Sequence, residues 1–431
     1  MFSAPRPVLA AAVLALTFSS GAVAQGRGGP EQTVQRLVAS APFKAAVATL
    51  DRTHDQTVAD TIALTEIPAP PFKEEARAKA YMEMLKAHGL TDVEMDAEGN
   101  VMGLRRGTGP AGGKVVVLAA HLDTVFPEGT PIKVRRDGTK LHAPGVGDDT
   151  HSLAVLLAYV RALDAAKIRT KSDILFVGNV GEEGPGDLRG VRHLFTKGKY
   201  KDRIRAFFSM DGTSAERVTY GAVGSRRYRV TFKGPGGHSY GAYGVVNPMA
   251  AMGTTVVEMN KITTPAKPKT TYATSVVGGG TSVNSIPDAI WLEVDMRSES
   301  KEELAKLDAR FLEIVKGAVA AENKARNTRF GEVSADVKLI GDRPTGATRE
   351  DAEIVRATTA AVKAAGYTPI LGASSTDSNM PISLGIPAVT IGSGGTGGRA
   401  HAVDEWIDVE KTQSVRGQAV GLAAVLAMAG V

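Results

Sequence analysis

The chain has 431 residues, enough for two domains of ordinary size and a large core. Hydrophobic residues make up 43% and charged residues 23%; the net charge of +5 is interspersed, and with only 5% aromatics to stack on bases no nucleic-acid partner is expected. There is no cysteine, which excludes disulfides, thiolate metal sites and cysteine nucleophiles; a transition-metal site must draw on Asp, Glu and the eight histidines.

Arg6 supplies a positive start, Val8 to Phe18 an apolar stretch, and Ala22-Val23-Ala24 a small-x-small site before Gln25. Residues 1–24 therefore read as a cleavable export signal, cut after Ala24, leaving a periplasmic or secreted protein. No later segment reaches about 18 uninterrupted apolar residues, so no membrane association is expected after cleavage.

Glu31 to about Glu66 has a helical pattern, broken by the prolines of IPAPPF at 67–72. KEEARAKAYMEMLKAHGL is an amphipathic helix closed by Gly89, and VEMDAEGNVMGLRRG is a hairpin turning at Glu98-Gly99-Asn100. Val115 to Ala120 reads as a buried strand that ends on His121, with Asp123 two residues on. Pro144 to Gly147 form a tight loop, Asp148 and Asp149 stand at a helix start, and Ser152 to Ala166 is the helix. Residues 173–180 are a second buried strand, running into Gly181-Glu182-Glu183-Gly184; residues 203–210 are a third, running into Asp211-Gly212. Strands alternating with helices indicate an α/β sheet, and ligands gather at the carboxyl ends of its strands. Here three such ends carry His-x-Asp, Glu-Glu and Asp.

The character changes near residue 222. Through 340 the order is β-α-β-β-α-β, that of a ferredoxin-like insert, so the chain divides into 25–221, an insert at 222–340, and a return to the first domain at 341–431. The return carries a helix at Arg349 to Ala365, a strand at 386–392, a glycine-rich loop holding Arg399 and His401, and a closing helix from Val409.

The polar residues so collected are His121, Asp123, Asp148, Glu182, Glu183, Asp211 and His401. Imidazole and carboxylate donors without thiolate suit zinc, with manganese or cobalt as alternatives. Two histidines and three carboxylates are about what two metals sharing a bridge require, a centre suited to amide hydrolysis. Adjacent residues of an extended chain point opposite ways, so of Glu182 and Glu183 one can ligate while the other stays free as a base. Asp123 lies too close to His121 to be an obvious independent ligand and fits a carboxylate that orients its imidazole.

AAHLDTV, GVGDD, GEEG, SMDG, GGHSYGAYGVVNPM, NSIPD with DMR, SSTD and GRAHAVDEW occur here in one order. In that order they resemble the dinuclear zinc peptidase family of peptidase T, carboxypeptidase G, acetylornithine deacetylase, succinyl-diaminopimelate desuccinylase and aminoacylase, with the peptidase T branch most similar. The resemblance covers essentially the whole chain after the leader. It implies a mixed-sheet catalytic domain with a ferredoxin-like lid and dimerisation domain. It implies that His121 and Asp211 hold one metal, Glu183 and His401 the other, and that Asp148 bridges them. Glu182 would be the general base and Asp123 the positioner of His121. His238 would reach across a homodimer to the substrate oxyanion, while Asn284 and Arg297 would hold the substrate's backbone or terminal carboxylate, with Arg399 a further anchor. The implied cofactors are two divalent ions, zinc first, and the implied substrates small peptides or N-acyl amino acids. A non-catalytic metal- or peptide-binding member, or a hydrolase of a small non-peptide amide, are the alternatives. One departure stands out: where the family has a lysine after the bridging acid, this chain has Asp149-Thr150-His151-Ser152, with His151 read as a helix-start residue and His142 as a spare histidine nearby.

Overall fold

The computed structural model describes Met1 and residues 28–431. The segment read as an export signal lies, beyond Met1, outside the described residues. The periodic run after it folds as three helices, α1 (Pro30–Ala39), α2 (Ala41–Arg52) and α3 (His54–Thr65). The first break falls at Ser40, whose Oγ accepts from the Phe43 N–H and caps α2, with a proline in the helix's first turn. After IPAPPF comes α4 (Glu75–Ala87), then the antiparallel pair β1 (Thr91–Met95) and β2 (Val101–Arg105). Asp96 closes their turn, its Oδ1 accepting from the N–H groups of Glu98, Gly99 and Asn100.

The central strand, β3 (Val115–His121), is buried at every residue. Next come β4 (Arg135–Asp137), β5 (Lys140–His142), α5 (His151–Ala165), β6 (Asp173–Asn179), α6 (Arg189–Thr196), β7 (Ile204–Met210) and β8 (Arg217–Ala222). The inserted unit is built from β9 (Gly224–Lys233), β10 (Gly237–His238), α7 (Pro248–Met259), β11 (Thr270–Gly279), β12 (Ser285–Ile286), β13 (Ala289–Ser298), α8 (Lys301–Ala325) and β14 (Ser334–Arg343). The chain returns through β15 (Gly346–Ala347), α9 (Glu353–Ala364), β16 (Ile370–Ser374), α10 (Asn379–Ser383), β17 (Ala388–Ile391), β18 (Thr396–Gly398), β19 (Trp406–Asp408) and α11 (Lys411–Ala429).

The main sheet runs β1-β2-β6-β3-β7-β17-β8-β15, with β16 also on β8. β3 is parallel to β6 and β7, and β17 is parallel to β7. Alternation along β3 feeds two cores. Val116, Leu118 and Ala120 join a cluster with residues of α5 and α11, while Val115, Val117 and Ala119 pack with Leu194 and Phe195 of α6 on the other face. The mixed α/β class is thus as expected. The insert's long strands form an antiparallel sheet, β11-β13-β9-β14, over a separate core around Phe232, Leu292 and Phe311. A further small sheet, β18-β19-β5-β4, has no counterpart in the sequence pattern, because its short strands carry no apolar alternation.

His151 opens α5 and is buried against α3, its Nδ1 3.1 Å from Thr61 Oγ1. It faces α3, as a helix-start residue would. Burial first, and His54 second, push its pKa down to about 4. An unfolded imidazole titrates near 6.5. As pH falls below that value, the unfolded chain takes up a proton that the folded chain refuses until about pH 4. Stability is therefore full above pH 6.5 and drains away toward pH 4, by up to about 3 kcal/mol at ~1.4 kcal/mol per unit. Urea unfolding at pH 7 and pH 5 is expected to show this loss, and a smaller one in His151→Gln; equal losses would remove His151 as its source.

Candidate metal centre

Because β6, β3 and β7 are parallel neighbours, their carboxyl ends lie side by side. His121 is the last residue of β3, Glu182 and Glu183 follow β6, and Asp211 follows β7. The turn at 146–150 brings Asp148 over that edge, and the loop after β18 brings His401. His121 Nε2 stands 2.9 Å from Asp148 Oδ1, and His401 Nε2 stands 3.1 Å from Asp148 Oδ2. His401 Nε2 is also 2.8 Å from Glu183 Oε1. One carboxylate thus divides its two oxygens between two imidazoles, which is the arrangement a bridging ligand needs.

His121, Asp148 and Glu183 offer donor atoms within 4.8 Å of one another. Asp211 borders the same cavity, of about 490 Å³, as Asp148, Glu182, Glu183 and His401. Burial, and then the charge of Asp148, push its carboxyl up to about 7. For Asp148 itself burial also pushes upward, but His121 and His401 outweigh it and hold the carboxyl well below its usual range. Contacts with Asp148 and Glu183 carry the His401 imidazole up to about 10.

Asp123 requires a correction. Its backbone carbonyl, not its carboxylate, holds His121 Nδ1, at 3.0 Å; the nearest carboxylate oxygen is 3.7 Å away. The carboxylate is occupied elsewhere: Oδ1 accepts from the Glu182 N–H at 3.1 Å and Oδ2 from the Glu183 N–H at 2.8 Å. Asp123 therefore fixes His121 through its main chain and the Glu182-Glu183 pair through its side chain.

Glu182 is buried, and burial drives its pKa well upward against the opposing charge of Arg343. Arg343 Nη1 donates to Glu182 Oε1 at 3.0 Å, and its Nη2 donates to the Glu182 carbonyl. Sequence reasoning missed Arg343, an ordinary arginine at a strand end until the fold brings it to Glu182. It also missed Glu405, although this residue lies inside GRAHAVDEW. Glu405 accepts from the N–H groups of Gly145, Gly147 and Asp148 at 2.8 to 2.9 Å, so it holds the turn that presents Asp148. Burial pushes its carboxyl up to about 7. Its signal was an acid within a glycine-rich loop, which commonly means solvent exposure; here only 2% of the residue is exposed. Asp377, read as structural support, accepts from Asn179 Nδ2 at 2.7 Å beneath the centre.

Of the expected substrate residues, Arg297 borders the cavity and donates to Asp295 at 2.7 Å. His238 and Asn284 do not reach it. They sit together on the exposed part of the insert, where the Ser239 N–H donates to the Asn284 carbonyl. Arg399 is exposed and paired with Asp404, so it is not an anchor facing the cavity. His142, in β5, lies opposite Trp406 in the small sheet and does not line the cavity.

The parallel edge and its acid–imidazole cluster define an α/β protein with a candidate metal-binding site. The chain belongs to peptidase family M20/M25/M40, whose model matches residues 117–426. It is 27% identical over 279 residues to carboxypeptidase G2 of Pseudomonas sp., a match covering 62% of each chain. It thus spans about three fifths of that relative. The fold is shared with aminopeptidase PepT from Bacillus cereus (20% identity, TM-score 0.68, covering 87% of this chain and 98% of that one). It is also shared with a dinuclear metal-binding peptidase of this family from Bacillus subtilis (18%, TM-score 0.63, covering 88% and 99%).

Replacing Asp123 by Asn puts an amide where two N–H donors need acceptors. Metal affinity is expected to fall by about 10–100-fold, the usual cost of losing such support. Competition titration against a chelator reads this directly, and an affinity equal to wild type would mean that the Asp123 carboxylate does not organise the centre.

Proposed function

We propose that this protein is an exported hydrolase that uses two divalent cations, zinc first, to cleave the amide bond of small peptides or N-acyl amino acids. The observation that carries the reading is Asp148, shared by His121 and His401 with Glu182 beside them. The residues present fit a pair of cations. Asp211 at about 7 and Asp377 at about 6 mark a buried cluster with more negative charge than its imidazoles and Arg343 balance, and added positive charge would relieve it. His121 and Asp211 would hold one ion, Glu183 and His401 the other, with Asp148 between them. When bound, the ions supply Lewis acidity toward the amide carbonyl and the attacking water.

The chain's own residues do the rest. Glu182 takes the proton from the attacking water and hands it to the leaving amine. Arg343 keeps Glu182 aimed, and Asp123 keeps Glu182 and Glu183 apart in their two roles. Arg297 offers a guanidinium to a substrate carboxylate. Glu182→Gln is expected to lower kcat by about 10²–10⁴-fold or more while the protein keeps its metal, measured by metal analysis beside peptide hydrolysis. A metal-loaded protein inert toward a panel of short peptides and N-acyl amino acids, whether or not Glu182 is changed, would exclude the reading.

His238 and Asn284 belong to the same proposal. Both are exposed in their own chain and outside its cavity, the disposition expected of residues that serve a second copy's site. The insert would then be the lid and the homodimer contact, with His238 donating to the substrate oxyanion of the partner. Mixing Glu182→Gln with His238→Ala protomers would restore activity above either variant alone, since one site of each hybrid has both residues intact. No rescue after subunit exchange would exclude this role. N-terminal sequencing of the protein recovered outside the cytoplasm checks the export reading; the first residue is expected to be Gln25.

A further inference from the structure

β8 runs antiparallel to β17, which is itself parallel to β7, so β8 begins at the edge where β7 ends. Its first residue, Arg217, therefore stands beside the metal centre rather than at the far end of the sheet. Arg217 borders two cavities. One is the 490 Å³ cavity that holds Glu182, Arg297 and His401. The other, of about 300 Å³, is lined by Asp148 and Asp211 on one side and by Thr213, Ile391 and the ring of Trp406 on the others. The two cavities meet across Asp148, Asp211 and Arg217.

Four arginines face this space, and three are matched by acids. Arg227 and Arg297 share Asp295. Arg343 is paired with Glu182. Arg217 makes only neutral contacts among the described residues, from Nε to Thr219 Oγ1 at 3.2 Å and from Nη2 to the Ala373 carbonyl at 3.5 Å. A guanidinium has five donors in a planar fork that matches a carboxylate. Here it stands, exposed, at the mouth of a small chamber that Ile391, Ile407, Ala400 and Trp406 line together with glycines, threonines and the carboxylates of Asp148, Asp211 and Glu405. Such a chamber accepts a short methylene stem, and the fork accepts the acid at its end.

We propose that Arg217 is a specificity-determining residue that binds a second substrate carboxylate, carried on a short methylene stem in the smaller cavity. The proposal rests on the hydrolase reading for its reaction, but the binding contact is independent of turnover. The carboxylate can come from an amino-acid side chain or from a dicarboxylic acyl group. The substrate would then span the centre, with one acid at Arg297 and the other at Arg217.

The test compares isosteric pairs on metal-loaded full-length protein. One arm uses dipeptides that carry Glu or Gln at each position in turn; the other uses amino acids N-acylated with a dicarboxylic acid or with its half-amide. The wild type is expected to favour the acid in at least one arm by about tenfold or more in kcat/KM, chiefly through KM, and the arm that responds identifies the source. In Arg217→Gln that ratio falls to within about threefold of one, and Arg217→Lys recovers part of it. Calorimetric binding of the same pairs to the Glu182→Gln protein gives a readout without turnover. Acid-selective binding that needs Arg217, with no hydrolysis by the wild type, would leave this proposal standing and remove the hydrolase reading. Hydrolysis with no acid preference, or with a preference unmoved by Arg217→Gln, would overturn the proposal and leave the hydrolase. If Arg217→Gln does not fold, the wild-type ratios and the Arg217→Lys binding decide.

Discussion

The centre depends on one buried carboxylate that acts on it through backbone N–H groups. Glu405 accepts three backbone N–H groups, from Gly145, Gly147 and Asp148. Were it absent, those donors would be left in a dry interior, at about 1–3 kcal/mol each. The turn would then rearrange to satisfy them, and Asp148 would no longer offer one oxygen to each imidazole. Glu405 also sits in the loop that carries His401. The same short stretch therefore supplies one imidazole and holds the acid that this imidazole meets.

The sheet supplies the other half of that geometry. Three parallel strands end together, so residues far apart in sequence arrive at one edge without long loops to order. Asp123 then does locally what Glu405 does across the site. Its two oxygens take consecutive N–H groups at the head of β6's loop, so Glu182 and Glu183 start from a fixed main chain and diverge. Fixed divergence lets adjacent glutamates take different roles.

Much of this was legible in the sequence, for a physical reason. Buried parallel strands read as uninterrupted apolar runs, and a polar residue that ends such a run stands out against it. His121, the Glu182-Glu183 pair and Asp211 were found that way. Asp148 and His401 were found in loops, where glycines and a helix start marked the turn. Arg343 and Arg217 were hidden because an arginine at the end of an alternating strand has the pattern of a solvated face. Only the sheet order tells which of those ends adjoin the centre. The breaks that make three helices of residues 30–65 were hidden too, since each falls between segments of the same apolar period.

Those arginines also show how the inserted unit and the main sheet are joined. Arg227, on β9, donates to the carbonyl of Gly184; Arg343, at the end of β14, holds Glu182 by side chain and carbonyl. The Asp342 N–H donates to Asp187, just beyond the same loop. The insert thus grips the segment that bears Glu182 at several points along it. A rotation of the insert over the cavity cannot leave that segment untouched: it must carry Glu182 along or break a buried ion pair, which costs several kcal/mol when one partner is left alone. The position of the insert and the position of Glu182 are therefore tied together through Arg227, Arg343 and the Asp342–Asp187 contact.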